Sequence, residues 1–273
     1  MDFESFLKWS LPELGLRWEG FVDVYGQVAK RLRDRMTELE LGSLEAYRRY
    51  IDEHPEEWRE VDACCRVTIS RFYRDAEVFD AVREEILPKL TDRATDADRG
   101  ELRLWSAGAA SGEEPYTLSM CAAFTDELER SESELAIVAS EVYRHMLDRA
   151  ERAVYPASSL EELPEGWIDR CFEEVRGGHR LCEDYREPVR FVRHDVREAL
   201  PSHVEPSFDL VAARYLPFTY FAETHQVEFL DRCAEWLDPA GFLVIGADES
   251  LPGAADGWEG AGSTGAVFQP ASA

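Results

Sequence analysis

The chain has 273 residues, of which 30 are basic and 56 acidic, so its formal net charge is −26. A charge of this sign repels the phosphates of nucleic acids and anionic lipid surfaces, which argues against general binding to nucleic acid or to membranes. The length allows one α/β domain of about 200 residues and a small accessory unit. Two domains are therefore expected.

Six cysteines are present, but no two form a CxxC pair and none has a histidine at metal-ligand spacing. We expect them to be reduced and mostly buried, and we predict no metal site. The N-terminal sequence MDFESFLKWSLPELG has neither the basic start nor the long apolar core of a secretory signal. No segment reaches the roughly 18 apolar residues that cross a bilayer. A cytoplasmic protein without membrane insertion is expected.

Apolar residues recur every three or four positions between residues 20 and 40, which predicts a helix with one apolar face. These residues are Phe21, Val24, Tyr25, Val28, Leu32, Met36 and Leu39. Ser43 begins a second helix, and a third short helix follows from 56 to 65. Residues 1–62 are therefore predicted to form a small helical N-terminal domain.

Residues 63–273 are predicted to form a second domain of the α/β class. A helix begins at residue 76 and leads into a polar linker, residues 91–100, in which no apolar residue is larger than alanine. Strands are then predicted at 102–106, 135–140, 189–192, 208–213, 242–247 and 266–269, and helices at 113–129, 143–153 and 223–236. This alternation predicts a mostly parallel sheet wound on both faces. Residues 156–188 read as an insertion that covers the site or contacts a partner, and residues 253–265 as a loop.

The stretch LRLWSAGAASGEEPYTLSM, residues 102–120, places a short strand before a loop of small residues, two acids and a helix. Ala107, Gly108 and Gly112 allow a ligand to approach the backbone, and the amides at the start of the helix favour polar or anionic groups. A loop of small residues is a weak signal alone, but the run GEEPY, which contains Glu114, makes it more specific. The order of these features predicts a nucleotide-type pocket.

Two acids follow predicted strands. Glu141 ends the second strand, IVASEV, where an acid in nucleotide-binding α/β folds accepts hydrogen bonds from both ribose hydroxyls. The alternative is an acid that stabilises a helix N-terminus. Asp195, in the segment FVRHDV, follows a later strand, where its carboxylate is predicted to accept a hydrogen bond from an adenine amino group. The alternative for Asp195 is an ordinary turn or helix-capping aspartate.

The segment TISRFYRDAEVF, residues 68–79, lies upstream of the sheet and offers polar side chains for a ligand. Thr68 and Ser70 supply hydroxyls, and Arg74 supplies a planar cation that binds carboxylates in two-point fashion. We predict that these side chains hold one end of the cofactor and an incoming carboxylate. The alternative for Arg74 is a surface position beside an aspartate, with the nearby aromatic residues in the core.

The segment LVAARYLPFTYF, residues 210–221, follows the fourth strand of the predicted sheet. Arg214 opens a loop at the carboxyl edge, where ligands of open α/β sheets bind. Aromatic residues follow it, among them Tyr215 and Tyr220, and they are predicted to wall a pocket. The alternative is that these aromatic side chains belong to the core.

These blocks occur in one order across roughly residues 18 to 252, and together they resemble the CheR-type chemotaxis receptor methyltransferases, which methylate protein glutamates. The resemblance implies a class I methyltransferase-like (Rossmann-like) fold and S-adenosyl-L-methionine as the cofactor. The residues at the cofactor-binding positions are Thr68, Ser70, Arg74, Ala107, Gly108, Gly112, Glu114, Glu141, Asp195, Val196, Arg214 and Tyr215. Arg74 and Tyr220 are the expected catalytic residues, which would position the methyl acceptor.

The sequence departs from the family pattern within the same blocks. The usual Asn-x-Thr is Thr68-Ile69-Ser70, the ribose aspartate is Glu141, and the Arg-Asn pair is Arg214-Tyr215. The segment after Arg214 is one residue longer than usual. These changes affect the identity of the substrate more than cofactor binding.

The resemblance also implies a partner. Lys30, Arg31, Arg33 and Arg35 cluster in the helix that matches the family's basic face, which is presented to acidic receptor helices. An acidic helical protein is therefore a candidate substrate. The alternative is that the cluster is a solvated helix face.

The expected reaction transfers a methyl group to the side-chain carboxylate of a glutamate in a protein. A carboxylate is ionised at pH 7, so no strong general base is required. One alternative is a small-molecule acceptor, bound in a closed pocket formed by the Tyr215 region and the 156–188 insertion. Another alternative, of a different class, is a cofactor-binding module that has lost catalysis.

Overall fold

The computed structural model describes residues 1–97, 99–131 and 133–271, and these residues divide into two compact units. The helical unit contains Met1–Ile69 and also Thr219–Gln226, and the α/β unit contains Ser70–Phe218 and the chain from Val227 onward. The predicted boundary after residue 62 therefore falls before the structural division at Ile69. Nothing in the sequence pattern indicated that residues 219–226 return to the helical unit.

The helical unit is built from helices α1 (Phe3–Glu13), α2 (Tyr25–Glu38), α3 (Leu44–Glu53) and α4 (Trp58–Cys65), with 3₁₀ turns at Trp18–Phe21 and Pro55–Glu57. The three predicted helices are confirmed, whereas α1 had not been predicted. Ser43 caps α3, because its hydroxyl accepts a hydrogen bond from the Ala46 amide at 3.2 Å. Asp2 caps α1 in the same way through the Ser5 amide at 2.8 Å.

The core of the helical unit is formed by apolar side chains from each of its helices. The most deeply buried are Phe6, Leu7, Leu11, Phe21, Val28, Leu32, Tyr47, Ile51 and Val61. The rings of Phe6 and Tyr47 stack with their centroids 5.6 Å apart. The returning segment belongs to this packing, since Leu16 and Phe221 form an antiparallel bridge.

The α/β unit is organised around a seven-stranded sheet. Its described strands are β1 (Glu101–Ala107), β2 (Glu134–Glu141), β3 (Val154–Tyr155), β4 (Phe172–Val175), β5 (Gly178–Leu181), β6 (Val189–Arg193), β7 (Phe208–Ala212), β8 (Leu237–Val244), β9 (Trp258–Gly260) and β10 (Val267–Pro270). The order of the large sheet is β6-β2-β1-β7-β8-β10-β9, and its first five strands are parallel. The predicted α/β class with a mostly parallel sheet is confirmed, and β9 lies within the predicted loop 253–265.

The helices of this part of the chain are α5 (Ala76–Ala81), a π-helical turn (Val82–Ile86), α6 (Leu87–Asp96), α7 (Glu113–Ala123), α8 (Asp126–Arg130), α9 (Arg144–Arg152), α10 (Trp167–Cys171), α11 (Glu183–Arg186), α12 (Pro217–Tyr220) and α13 (Glu223–Trp236). The predicted polar linker 91–100 is wrong in its first half, because α6 continues to Asp96. Thr91 and Ala94 are buried there, and the Thr91 hydroxyl donates to the Leu87 carbonyl at 2.9 Å. Asp98, in the same predicted linker, lies outside the described residues. Across the described residues, every helix is too short or too polar to span a lipid bilayer.

The predicted insertion 156–188 carries most of a second, three-stranded antiparallel sheet of order β3-β5-β4. Gly178 makes the close pairing of β3 and β5 possible, because a Cβ there would lie 2.2 Å from the Tyr155 carbonyl oxygen. Trp167 of α10 is buried, and its ring meets the Tyr73 ring edge-on at 5.2 Å. The insertion is therefore an ordered part of the α/β unit.

Trp105 of β1 anchors one face of the large sheet. Its ring is fully buried between Phe208 of β7, with centroids 5.7 Å apart, and Trp236 of α13, at 5.3 Å. The indole N–H donates to the Ser140 hydroxyl at 3.0 Å, which satisfies the buried polar atom. Because β1, β2, β6, β7 and β8 are parallel, their carboxyl ends lie along one edge, at which the chain leaves each strand.

Candidate active site

The loop after β1 is bound tightly to the end of β2. The amides of Gly108 and Ala109 both donate to the Ser140 carbonyl, at 3.0 and 2.8 Å. Gly108 has a φ of +92°, and a Cβ at this position would lie 2.5 Å from the Leu216 side chain. A larger residue at 108 would therefore be strained and crowded, so glycine is required by the turn itself.

Gly112 is also held in a left-handed conformation, with a φ of +97°, directly before α7. A Cβ there would lie 2.9 to 3.1 Å from atoms of Tyr155, Ala150 and Tyr116. Its lack of a side chain is therefore required by packing, independently of any ligand. The predicted approach of a cofactor to this part of the backbone stays a prediction.

Glu141 ends β2 at the carboxyl edge, and only 7% of its surface is exposed. Its carboxylate accepts hydrogen bonds from the Ala110 amide at 3.1 Å and the Tyr143 amide at 3.0 Å. The second contact lies at the start of α9, so the helix-terminus alternative is part of its role. An ionised carboxylate offers about four acceptor positions, so holding these amides is compatible with binding hydroxyl groups.

Asp195 lies two residues beyond β6, and its carboxylate accepts three N–H groups of Arg197 at 2.7 to 3.0 Å. The backbone contact forms the turn that the alternative interpretation predicted. His194, directly before it, is 6% exposed, and its amide donates to the Glu141 carbonyl at 3.1 Å. Among the described residues, the buried His194 Nε2 has no hydrogen-bond partner. Burial lowers the pKa of His194, so the imidazole is neutral at pH 7.

Arg74 lies in a sharply bent segment before α5. The residues on either side of it, Tyr73 and Asp75, have positive φ values of 58° and 61°. These left-handed turns are uncommon for residues that carry a Cβ. The half-buried Arg74 guanidinium lies over the Tyr215 ring, 3.6 Å from its centroid. The bend therefore places a cation against an aromatic face at the end of β7.

Arg214 is the most buried cation of this edge, with 3% of its side chain exposed. One Nη donates to the Asp75 carboxylate at 2.8 Å and also to the Arg74 carbonyl, and the other lies 3.5 Å from the Glu114 carboxylate. Glu114 accepts a further hydrogen bond from the Ser106 hydroxyl at 2.7 Å. The Arg214 Nε is buried without a partner among the described residues. Arg214 therefore connects the bend before α5 to the start of α7.

Tyr215 completes the network towards β8. Its hydroxyl donates to the Asp75 carboxylate at 2.6 Å, and its amide donates to the Glu249 carboxylate at 2.8 Å. The same Glu249 oxygen accepts the Gly246 amide at 2.8 Å. Asp75 and Glu249 were not among the predicted site residues. The position of Asp75 beside Arg74 was the only signal for it, and Glu249 had none.

The carboxyl groups of this network differ in acidity. Burial alone would raise the pKa of Asp75, but hydrogen bonds and charge from Tyr215, Arg214 and the Ala247 amide hold it below its usual range. Burial raises the pKa of Glu114 in spite of Arg214 and Ser106. Burial and the bond to Asp75 raise the pKa of Tyr215 to about 12. Of the two carboxyl groups that face Arg214, Asp75 is therefore more firmly ionised than Glu114.

Most predicted site residues lie at the carboxyl edge of the large sheet or in the loops that leave it. These are Ala107, Gly108, Gly112, Glu114, Glu141, Asp195, Val196, Arg214 and Tyr215, and the contacts above bring Arg74 to the same edge. Thr68 and Tyr220 belong to the helical unit, and Ser70 begins the α/β unit. The Tyr220 ring packs 5.0 Å from the Phe21 ring, and its carbonyl accepts the Arg17 amide at 2.9 Å. The ligand roles of these residues stay predictions.

The predicted basic face of α2 is largely engaged within its own unit. Arg31 donates to the carbonyls of Cys64 and Arg66, at 3.4 and 2.6 Å. Arg35 forms a two-point bond with the buried Glu57, with both contacts at 2.8 Å. Lys30 pairs with Asp34 at 2.6 Å, and the Arg33 guanidinium lies over the Phe3 ring at 5.0 Å. Each of the four cations therefore already contacts a partner within the helical unit.

The polar groups at the sheet edge fit an adenosine-containing cofactor. The ribose hydroxyls and the adenine amino group are hydrogen-bond donors, and the carboxylates of Glu141 and Asp195 are acceptors at the ends of neighbouring strands. The donor and acceptor set therefore agrees with the cofactor that the sequence predicted.

Comparison with known proteins identifies the family. The model of the CheR methyltransferase SAM-binding domain matches residues 68–266. The chain is 33% identical over 192 residues to the chemotaxis protein methyltransferase of Listeria monocytogenes, covering 70% of this chain and 68% of that protein. It is 29% identical over 252 residues to chemotaxis protein methyltransferase 2 of Pseudomonas aeruginosa, covering 91% and 84%, and 29% identical over 233 residues to the Escherichia coli enzyme, covering 84% and 76%. The chain therefore belongs to the CheR methyltransferase family and is an S-adenosylmethionine-dependent methyltransferase.

Proposed function

We propose that this enzyme methylates the side-chain carboxylate of a glutamate in a protein substrate. The observation that carries the proposal is the placement of Arg74, whose half-buried guanidinium lies on the Tyr215 ring at the carboxyl edge of the sheet. A planar guanidinium binds a carboxylate by two parallel hydrogen bonds and so sets its orientation. The names of the relatives, chemotaxis protein methyltransferases, support a protein acceptor.

The two arginines of the edge would have different tasks. Arg214 is buried and paired with Asp75, so its charge is neutralised within the fold. Arg74 is half-buried, and its guanidinium lies against the Tyr215 ring at the carboxyl edge of the sheet. We therefore assign acceptor binding to Arg74 and support of the site to Arg214. Tyr220, predicted as a second positioning residue, lies in the helical unit, and its role stays a prediction.

The nucleoside end of the cofactor would be held by the first two strands and the loop after β6. Glu141 would accept the ribose hydroxyls, and Asp195 would accept the adenine amino group. The loop from Ala107 to Gly112 would line the cofactor, with Val196 against the base. Ser70, Glu114 and the backbone near Tyr215 would bind its amino-acid end, and the predicted contact of Thr68 stays a prediction.

Bound S-adenosylmethionine supplies a methyl group on a positively charged sulfur. The acceptor carboxylate is ionised at pH 7, so the chain needs to orient it rather than remove a proton. Arg74 would align one carboxylate oxygen with the methyl group and hold it out of bulk water. This division predicts that Arg74 affects turnover far more than cofactor affinity.

The experiment incubates the enzyme with radiolabelled S-adenosylmethionine and an extract of the host, and then separates protein from small molecules. Carboxyl methyl esters release their label in mild base, so the protein fraction should carry base-labile label. Arg74→Ala should lower the rate about a hundredfold, while the affinity for S-adenosylhomocysteine, measured by calorimetry, changes less than about threefold. Arg71→Ala is the matched control, because Arg71 lies in the same segment but is half exposed and pairs with Glu162.

Three outcomes contradict the proposal. Label that appears only in the small-molecule fraction would favour a metabolite acceptor. Tight cofactor binding without transfer to any fraction would favour a non-catalytic module. Equal rates for Arg74→Ala and Arg71→Ala would remove Arg74 from acceptor binding.

A further inference from the structure

We propose that Tyr215 is a positioning residue, whose aromatic ring fixes the orientation of the Arg74 guanidinium. This inference rests on the proposed role of Arg74 and adds the residue through which that role depends on the fold. Tyr215 was predicted only as a cofactor-binding residue. Its contacts assign its side chain to Arg74 and Asp75.

The first step of the argument is the distance between cation and ring. The Arg74 guanidinium carbon lies 3.6 Å from the Tyr215 centroid, whereas the Arg214 guanidinium lies 4.5 Å from the Phe79 centroid. At 3.6 Å the guanidinium is in van der Waals contact with the ring, where cation–π attraction is strong.

The second step is that the Tyr215 ring is itself immobilised. Its hydroxyl bonds to Asp75 at 2.6 Å, and its backbone amide bonds to Glu249 at 2.8 Å. Gly246 approaches the ring closely, since a Cβ there would lie 2.6 to 2.9 Å from three ring atoms. The Tyr215 side chain is therefore held by its hydroxyl, by the backbone amide of the same residue and by close contact with Gly246.

The third step is the backbone. Tyr73, Asp75 and Tyr215 all have positive φ values, between 55° and 61°. Such conformations are disfavoured for residues with a Cβ and persist only where the surroundings impose them. Here they bring the Arg74 guanidinium onto the Tyr215 ring and the Tyr215 hydroxyl onto the Asp75 carboxylate. Three disfavoured turns that converge on one pair of side chains support a positioning role for Tyr215.

The test is a double-mutant cycle of Arg74→Ala and Tyr215→Ala, with Tyr215→Phe as the conservative variant. If Tyr215 acts through Arg74, then Tyr215→Ala should lower kcat by roughly 10- to 100-fold in the wild-type background, and it should have no further effect when Arg74 is alanine. Tyr215→Phe keeps the ring and loses only the bond to Asp75, so kcat should fall by less than about fivefold. The affinity for S-adenosylhomocysteine should change little in either variant.

Multiplicative losses in the double variant would overturn the proposal, since they would mean that Tyr215 acts independently of Arg74. A loss of S-adenosylhomocysteine affinity in Tyr215→Ala that persists without Arg74 would likewise assign Tyr215 to the cofactor. The cycle measures kcat and can be run with any methyl acceptor. If the acceptor proved to be a small molecule, the proposed function would fail, but the cycle would still test whether Tyr215 acts through Arg74.

A readout on the free enzyme does not depend on turnover. The ring current of Tyr215 should shift the Arg74 Nε–H resonance upfield in the NMR spectrum, and Tyr215→Ala should abolish that shift while Tyr215→Phe retains it. The resonance is assigned by its loss in Arg74→Lys. An Arg74 resonance at the position of a solvent-exposed arginine in the wild-type enzyme would contradict the proposal.

Discussion

Two arginine-carboxylate centres, one in each unit, are built from the same residue types but differ in how completely they are satisfied. In the helical unit, Arg35 binds Glu57 at two points and Glu38 at a third, and the Tyr47 hydroxyl also donates to Glu57. In the α/β unit, Arg214 binds Asp75 and lies near Glu114, yet its Nε is buried without a partner in the described part of the chain.

The two centres also differ in the pKa of a buried glutamate. Burial would raise the pKa of Glu57, but Arg35 and Tyr47 hold it below its ordinary value. The pKa of Glu114 is raised by burial in spite of Arg214. A centre that serves only stability satisfies its buried charges. The Arg214 centre, with a raised carboxyl pKa and disfavoured backbone turns, has the features expected of a functional site.

The largest expected effect comes from removing each arginine in turn. Arg214→Met leaves Asp75 without its buried cation and should lower the free energy of unfolding by about 3–5 kcal/mol, with activity lost even in the folded fraction. Arg35→Met should cost a similar amount, about 3–5 kcal/mol, because it leaves the Glu57 carboxylate, of whose side chain only 4% is exposed, without its cation. Urea unfolding and kcat per folded enzyme measure both. Normal kcat in Arg214→Met would contradict the functional assignment of this centre.

The next effect is a pH dependence of opposite sign for two glutamates, Glu57 beside Arg35 and Glu114 beside Arg214. The pKa of Glu57 is lowered from 4.5, so its contribution to stability is present above pH 4.5 and is lost as pH falls through the folded pKa. The pKa of Glu114 is raised from 4.5, so the folded state is penalised as pH rises from 4.5 through the folded pKa.

Glu57→Gln should therefore approach wild-type stability as the pH falls below 4.5. Glu114→Gln should gain stability relative to wild type as the pH rises above 4.5. Unfolding midpoints of the three proteins across this range give the two differences. Parallel curves for Glu114→Gln and wild type would show that Glu114 titrates alike in the folded and unfolded states.

The smallest expected effect is a difference in kcat between alanine substitutions at two glycines, Gly246 and Gly26. Gly246→Ala should displace the Tyr215 ring and lower kcat about tenfold, because the added Cβ would lie within 2.9 Å of that ring. Gly26→Ala, in α2, meets nothing within 4 Å and should stabilise the protein by about 0.5–1 kcal/mol without changing kcat. Equal activities of the two variants would show that the ring tolerates displacement.

The sequence predicted one half of the site better than the other. Gly108, Glu141 and Asp195 lie beside the strands that precede them, so apolar periodicity followed by a polar residue was enough to place them at the sheet edge. The network around Arg214 joins residues that are far apart in the chain. Asp75 and Glu249 acquire their roles only through tertiary contacts, and no local pattern reports such contacts.

The fold was likewise predicted where its signal lies in a local sequence pattern, and missed where it depends on tertiary contacts. Every strand of the parallel part of the sheet overlaps a predicted strand, because each contains apolar residues in a short run or in alternation with polar residues. The second half of α6 was wrongly predicted as a linker. Its buried face has no large apolar residue, and Thr91 is buried there because its hydroxyl donates to the Leu87 carbonyl. The return of residues 219–226 to the helical unit depends on contacts between residues far apart in the chain. Among them are the Leu16–Phe221 bridge, the packing of Phe21 on Tyr220 and hydrogen bonds to carbonyls, and such contacts have no signature in composition.

That return has a practical consequence for anyone who dissects this enzyme. A fragment that starts at Ser70 would retain the whole large sheet, but Phe221 and Gln226, both buried, would be stripped of the chain that covers them. Tyr220 would lose Phe21, the ring beside it, and Arg17, the donor to its carbonyl. The N-terminal 69 residues thus supply the packing partners of Tyr220, and removing them would disturb the surroundings of that tyrosine as well as the helical unit itself.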